Sequence, residues 1–270
     1  MRGEVNTKPP AALRIAGVVK VFNRGAATQR KALSGVSLTL AEGDFAVVIG
    51  SNGAGKSTLL GTIAGDVTPD EGTVDIAGND VTRVPVHRRA ARVARVFQDP
   101  SRGTAPGLTV EENLAIAYKR GHRRYLNLAV NTNRRTLFQD ALAPLGLGLE
   151  NRLDTRVDLL SGGQRQALSL TMACLLKPQI LVLDEHCAAL DPRTAEAVMA
   201  ATFKAVDAAR ITTLMVTHNM HHAIGHGNRL VMMHEGQIVY EAAGSEKDGL
   251  TVEALVRRFQ TADDKMLLVH

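Results

Sequence analysis

Nine residues, Gly50-Ser51-Asn52-Gly53-Ala54-Gly55-Lys56-Ser57-Thr58, constrain this 270-residue chain more than any other stretch. They follow Phe45 to Ile49, a continuous apolar run expected of a strand buried on both faces of a parallel sheet. They precede a helix-like segment, Thr58 to Ala64. The pattern G-x-x-x-x-G-K-[ST] between a strand and a helix is a phosphate cradle: glycines let the backbone curl, successive N–H groups point inward, and the helix N-terminus adds the positive end of its dipole. Lys56 would neutralise β- and γ-phosphate charge, and Ser57 would place a hydroxyl on Mg²⁺. An ordinary glycine-rich turn is the alternative, and it would not need the strand before it or the helix after.

The rest of the chain predicts an α/β fold with a parallel sheet, an N-terminal antiparallel β region and an inserted helical subdomain. In Leu13 to Val21 the odd positions Leu13, Ile15, Val19 and Val21 are apolar, the period of a half-buried strand, and Val36 to Leu40 alternates similarly. Apolar runs at Val93 to Phe97, Ile180 to Leu183 and Leu214 to Val216 read as further buried strands, separated by lengths that hold crossover helices. Between about residues 101 and 176 the apolar spacing becomes helical. Thr109-Val-Glu-Glu112 has the form of a capping box opening a helix from Val110 to Tyr118, and a second apolar helix is expected from about Gln166 to Leu176. Arg229 to Met233 and Gln237 to Glu241 flank Glu235-Gly236 as a hairpin. The expected organisation is one domain over 11–241 and a short tail, 242–270, with one helix at Val252 to Phe259.

Two further strings carry chemistry. Ile180-Leu-Val-Leu-Asp184-Glu185 is a strand ending in two carboxylates. Asp184 would hold Mg²⁺ and Glu185 would polarise a water for in-line attack on a γ-phosphate. Leu160-Ser161-Gly162-Gly163-Gln164 opens the second helix as another anion cradle.

With that second cradle the chain resembles the nucleotide-binding subunit of ATP-binding cassette (ABC) transporters, over nearly all of residues 13 to 241. The resemblance implies an ATPase with ATP and Mg²⁺ as its ligands. It implies that Ser161, Gly162, Gly163 and Gln164 act in trans, on the nucleotide held by the phosphate loop of a second copy. It further implies that Phe22 stacks on adenine, where a core-facing strand end is the other reading. Gln98 would sense Mg²⁺ and the attacking water, Asp191 in Ala189-Leu190-Asp191 would lie at the dimer seam, and His218, after the strand Ile211 to Thr217, would hydrogen-bond the γ-phosphate. His186-Cys187 departs from the small or proline-type residues common there, leaving a buried spectator or a reactive thiol. His221, His222, His226 and His234 crowd the region after His218, as exposed polar positions or as metal ligands.

Composition narrows the partners. The longest uncharged run near the middle, Ala167 to Leu176, stops at Lys177-Pro178, well short of the ~18 to 20 apolar residues of a membrane span. With no signal-like leader and no C-x-x-C, a cytosolic, disulfide-free chain is expected, and the resemblance implies a peripheral place on the cytoplasmic face of a bacterial inner membrane. By resemblance it would form a homodimer, drive separate transmembrane permease subunits and serve an extracytoplasmic substrate-binding protein. Basic residues cluster at Arg88, Arg89, Arg92 and Arg95, and again at Lys119, Arg120, Arg123, Arg124, Arg134 and Arg135. Such runs are either solvated faces or surfaces for anionic lipid or nucleic acid. Aromatics at 3% and the absence of Trp argue against stacking on single-stranded nucleic acid, so no nucleic-acid partner is expected. The phrases QDPSRGTAPGLTVEENLA (from Gln98) and DEHCAALDP (from Asp184) resemble bacterial amino-acid uptake ATPases of tryptophan/tyrosine type. A soluble ABC ATPase acting on nucleic acid or ribosomes is the rival class, and an exporter subunit is a further alternative.

Overall fold

The computed structural model describes residues 11–121 and 132–267. The chain divides into two compact units, one of residues 1–85 with 212–270 and one of residues 86–211.

In the first unit, β1 (Ala11–Phe22) and β2 (Arg30–Ala41) form an antiparallel pair. β3 (Phe45–Gly50) is buried at every residue and leads into α1 (Lys56–Ala64); β4 (Glu71–Ile76) and β5 (Asn79–Asp80) complete an antiparallel sheet in the order β2-β1-β4-β5. The alternation read from β1 fails halfway. Leu13 and Ile15 are buried, but a register shift between Ile15 and Val18 moves the inward face to Val18, leaving Val19 and Val21 only half-buried. A bulge inserts one residue and so exchanges the faces of everything after it.

The second unit begins with α2 (Val86–Arg89) and β6 (Val93–Val96), continues through α3 (Val110–Tyr118), α4 (Thr132–Leu142) and α5 (Gly162–Cys174), and ends with β7 (Ile180–Asp184) and α6 (Pro192–Ala209). β6 and β7 are parallel neighbours, with Arg95 opposite Val182. Val110, Leu114, Phe138, Leu142, Leu149 and Leu168 join one apolar core among the helices. Its entry is fixed by the expected capping box, in which Thr109 Oγ1 accepts from Glu112 N–H (3.2 Å) and Glu112 Oε2 accepts from Thr109 N–H (2.7 Å).

The chain then returns to the first unit as β8 (Thr212–Val216), α7 (Met220–Gly225), the hairpin β9 (Arg229–His234) and β10 (Gln237–Ala243), and α8 (Ser245–Asp248) and α9 (Val252–Leu267). β3 runs parallel between β8 and β9. The hairpin turns where expected, with Glu235 and Gly236 both at positive φ. The tail holds two helices where one was expected, and α9 continues past Phe259. Among the described residues no helix is long and apolar enough to cross a membrane.

Candidate nucleotide-binding site

The phosphate loop leaves β3 and enters α1 through Gly55, which sits at a φ of 98° and where a Cβ would lie 2.4 Å from the Ala32 carbonyl oxygen, so no larger residue fits. Two bonds brace the loop from outside and one from within. Arg30 Nη2 donates to Gly53 O (2.8 Å), the Gly236 N–H of the hairpin turn donates to Ala54 O (3.0 Å), and Ala54 N–H donates to Ser51 O (3.2 Å). Lys56 is buried, and its ammonium donates to Gly50 O (2.7 Å) and Ser51 O (2.9 Å). The loop's own carbonyls therefore hold the cation that a phosphate chain would otherwise attract. Ser57 and Thr58 sit at the start of α1, and the Ser57 residue is exposed.

In the same unit Phe22 ends β1 and is 37% exposed, with Lys20 Nζ 5.5 Å from its ring centroid, so it is no core residue. His218 is exposed just after β8, and the next residue, Asn219, caps α7 by accepting from the His221 and His222 N–H groups. The later histidines do not behave alike. His221 is exposed; the His222 and His226 rings lie 5.9 Å apart, with burial first and the neighbouring His222 second holding His226 below the usual imidazole range; His234 is buried, not exposed as expected. Among the described residues no group of three or more His, Cys, Asp or Glu could hold a metal ion.

The second unit carries the other expected residues. Ser161 caps α5 in a capping box of its own: its Oγ accepts from Gln164 N–H and its N–H donates to Gln164 Oε1, both at 3.2 Å. Gln164 is also tied inward, accepting from Arg152 Nη1 (3.1 Å) and donating to Leu147 O (3.2 Å). Its side chain shapes the turn, while Ser161 and Gly162 are exposed. A Cβ on Gly163 would lie 2.1 Å from Thr194 Cγ2, so the α5 and α6 N-termini meet there. Asp191 caps α6 by accepting from Thr194 N–H (3.1 Å), and its bonds with Thr194 hold its carboxyl below the usual range.

Asp184 ends β7 and Glu185 follows in the left-handed region at φ 46°. Gln98 is exposed just past β6, and the buried Gln166 amide donates to the carbonyl of the residue before it, Phe97 O (3.2 Å). Asp184 in the second unit offers a carboxylate and Ser57 in the first a hydroxyl, each by itself a hard oxygen donor of the kind Mg²⁺ takes. Cys187 is a partly buried thiol pushed up to about 12 by desolvation, as is Cys174, so neither is a ready nucleophile.

Residues 33–188 match the ABC transporter family model. The chain belongs to the ABC transporter family. This ABC subunit is 42% identical to the tyrosine transport ATP-binding protein of Clostridioides difficile (strain R20291) over 251 residues, 93% of this chain and 99% of that one. It is 36% identical to the sulfate/thiosulfate import ATP-binding protein CysA of Mycobacterium bovis over 218 residues, covering 80% of this chain and 58% of the relative. Among solved structures, the dimeric ATP-binding cassette MJ0796 in a post-hydrolysis state with ADP and Pi aligns at a TM-score of 0.74 and 27% identity, over 86% of this chain and 98% of that one. As an ABC subunit the protein binds ATP and is an ATPase.

Four residues that brace these segments within their own units were not picked out from the sequence: Arg30, Gln166, Thr194 and, in its structural role, Arg95. Arg95 donates to Asp184 Oδ2 at 2.6 Å. Its signal was a charge in the middle of an otherwise apolar strand. Members of the basic runs take different roles in the fold. Arg88 is exposed and Arg89 buried; Arg120 donates to Ala173 O (2.9 Å), Arg134 sits 5.5 Å from the Tyr118 ring centroid, and Arg135 forks onto Asp154 with a further bond to Glu111. Arg123 and Arg124 lie outside the described residues.

Proposed function

We propose that the protein is the ATP-hydrolysing subunit of a bacterial small-solute importer, with an aromatic amino acid as the first cargo to test, and that two copies clamp ATP at shared seams. The observation that carries transport is the likeness to a tyrosine transport ATP-binding protein along 99% of that protein's length. The observation that favours a shared seam is the pair of anion-ready helix starts, the loop with Lys56 and the turn with Ser161, for a single nucleotide.

In this reading Lys56 releases the Gly50 and Ser51 carbonyls and turns its charge to the β- and γ-phosphates. The N–H groups of the loop from Gly50 to Thr58 hold the phosphate oxygens, and Phe22 offers its exposed ring to the adenine. Ser161 and Gly163 of one copy approach the γ-phosphate bound by the other, with Gln164 keeping the Ser161 turn in shape and Asp191 at the seam. Mg²⁺, when bound, shields phosphate charge, and Ser57 and Asp184 each offer it one oxygen, with Gln98 as the residue that senses it. Glu185 accepts a proton from the attacking water, help worth roughly 10²- to 10⁴-fold, and His218 donates to the γ-phosphate.

The cassette domain spans 11–241, with the helical insertion at about 101–176. Separate membrane permease subunits dock on it, so the protein works at the cytoplasmic face of the membrane, and an extracytoplasmic binding protein delivers cargo to the permease. Glu185→Gln tests the core of this reading. It should bind ATP, double its mass in solution by light scattering with Mg²⁺ and ATP, and fail to turn over. Hydrolysis at the parent rate would remove Glu185 as the base, and a variant that stayed monomeric under those conditions would remove the shared seam.

A further inference from the structure

We propose that Arg95 is a built-in cation that occupies the carboxylate of Asp184 and must leave it before a divalent ion can bind. The inference rests on the reading of Asp184 as a metal ligand and says how that ligand is regulated.

Arg95 projects from the middle of β6 toward the end of β7. Its Nη2 lies 2.6 Å from Asp184 Oδ2, and the two side chains are only 14% and 16% exposed. A charge-assisted bond this short, with little water to screen it, is among the stronger polar contacts a protein makes. The guanidinium also stands 4.7 Å from the centroid of the Phe97 ring, a contact that favours the cation where it is. Arginine stays protonated at any working pH, so the pair cannot open by losing a proton. A divalent ion must therefore compete with a fixed positive charge for the same carboxylate.

The displaced side chain has somewhere to go. Arg95 lines a cavity of about 770 Å³ together with His87, Arg88, Lys119 and Arg120, and among the described residues no carboxylate lines it. The cavity has room for the guanidinium but offers it no anion, which makes the pair with Asp184 the resting arrangement. Arg95 is thus a positioning residue: it sets the availability of Asp184 without touching the nucleotide.

The test uses the full chain and Mn²⁺ as the probe, with free Mn²⁺ read by electron paramagnetic resonance in the presence of a non-hydrolysable ATP analogue. Arg95→Met keeps the length of the side chain without its charge and should lower the half-saturating Mn²⁺ concentration by roughly three- to tenfold, the range expected when a partly shielded ion partner is removed. Arg95→Lys, which keeps the charge, should stay near the parent. Should Arg95→Met fail to fold, Arg95→Gln carries the same expectation. Mn²⁺ binding by the folded neutral variant that is unchanged or weaker than the parent's overturns the proposal, because Arg95 would then orient Asp184 or do nothing to it. Asp184→Asn separates this from failure of the underlying reading: if it binds Mn²⁺ as the parent does, Asp184 is no metal ligand, whatever Arg95 does.

Discussion

Glu185, the proposed base, has a backbone that an L-residue adopts only at a cost of about 1 to 2 kcal/mol, with φ at 46°. The residue after it supplies an anchor. His186 is buried with Nε2 3.1 Å from Thr202 Oγ1, and because Thr202 gives its own proton to Val198 O, the imidazole must donate through Nε2. The departure at His186-Cys187 noted from the sequence is thus a tether between the carboxylate turn and α6, with Cys187 a desolvated neighbour. Gly163 shows the same economy of space. Gly163→Ala should lower stability by about 1 to 3 kcal/mol through overpacking, measured by urea denaturation. Thr194→Ser in the same chain removes the Cγ2 that the new methyl would meet at 2.1 Å and should restore most of the loss; a double variant as unstable as the single one would place the crowding elsewhere.

The two long helices of the insertion that were foreseen both start on the same device. α3 begins at Thr109 with Glu112, α5 at Ser161 with Gln164, and in each a side-chain oxygen satisfies an early helix N–H while the third residue reaches back to the cap. The first box was legible because Thr-x-x-Glu stood before an apolar helical run, and α3 has the bounds expected of it. The second was read only as an anion cradle, since its glycines dominate the pattern. Thr109→Ala should cost about 1 kcal/mol of stability, seen as a lower urea midpoint with ATP turnover per folded molecule unchanged. Equal loss of turnover would mean that Thr109 does more than start its helix. Of the helices not given bounds beforehand, α2 and α8 are too short to carry a periodic signal, whereas α6 and α7 start on side-chain caps, Asp191 and Asn219, that were not read as helix starts.

For the whole molecule the decisive expectation concerns two chains. Mixing Lys56→Ala with Ser161→Ala, each inactive alone, should recover about a quarter of parent turnover at equal amounts, since about half the dimers are mixed and one of their two seams is intact. No recovery under conditions where the parent is active would refute a seam built from both copies. The chemistry of each half of that seam was already present in local strings, because a phosphate loop, a strand-end carboxylate pair and a capped glycine turn are each made by consecutive residues whose backbone geometry follows from their own types. Sequence by itself thus determined the class of fold and the ATPase family, and it supplied the residues of the proposed site. Tertiary structure alone decided that Arg95 claims Asp184, that Gln166 holds the Phe97 carbonyl and that Thr194 requires a glycine at 163. These pairings join residues far apart in the chain, and their partners are chosen by sheet register and helix packing, which no short stretch of sequence encodes.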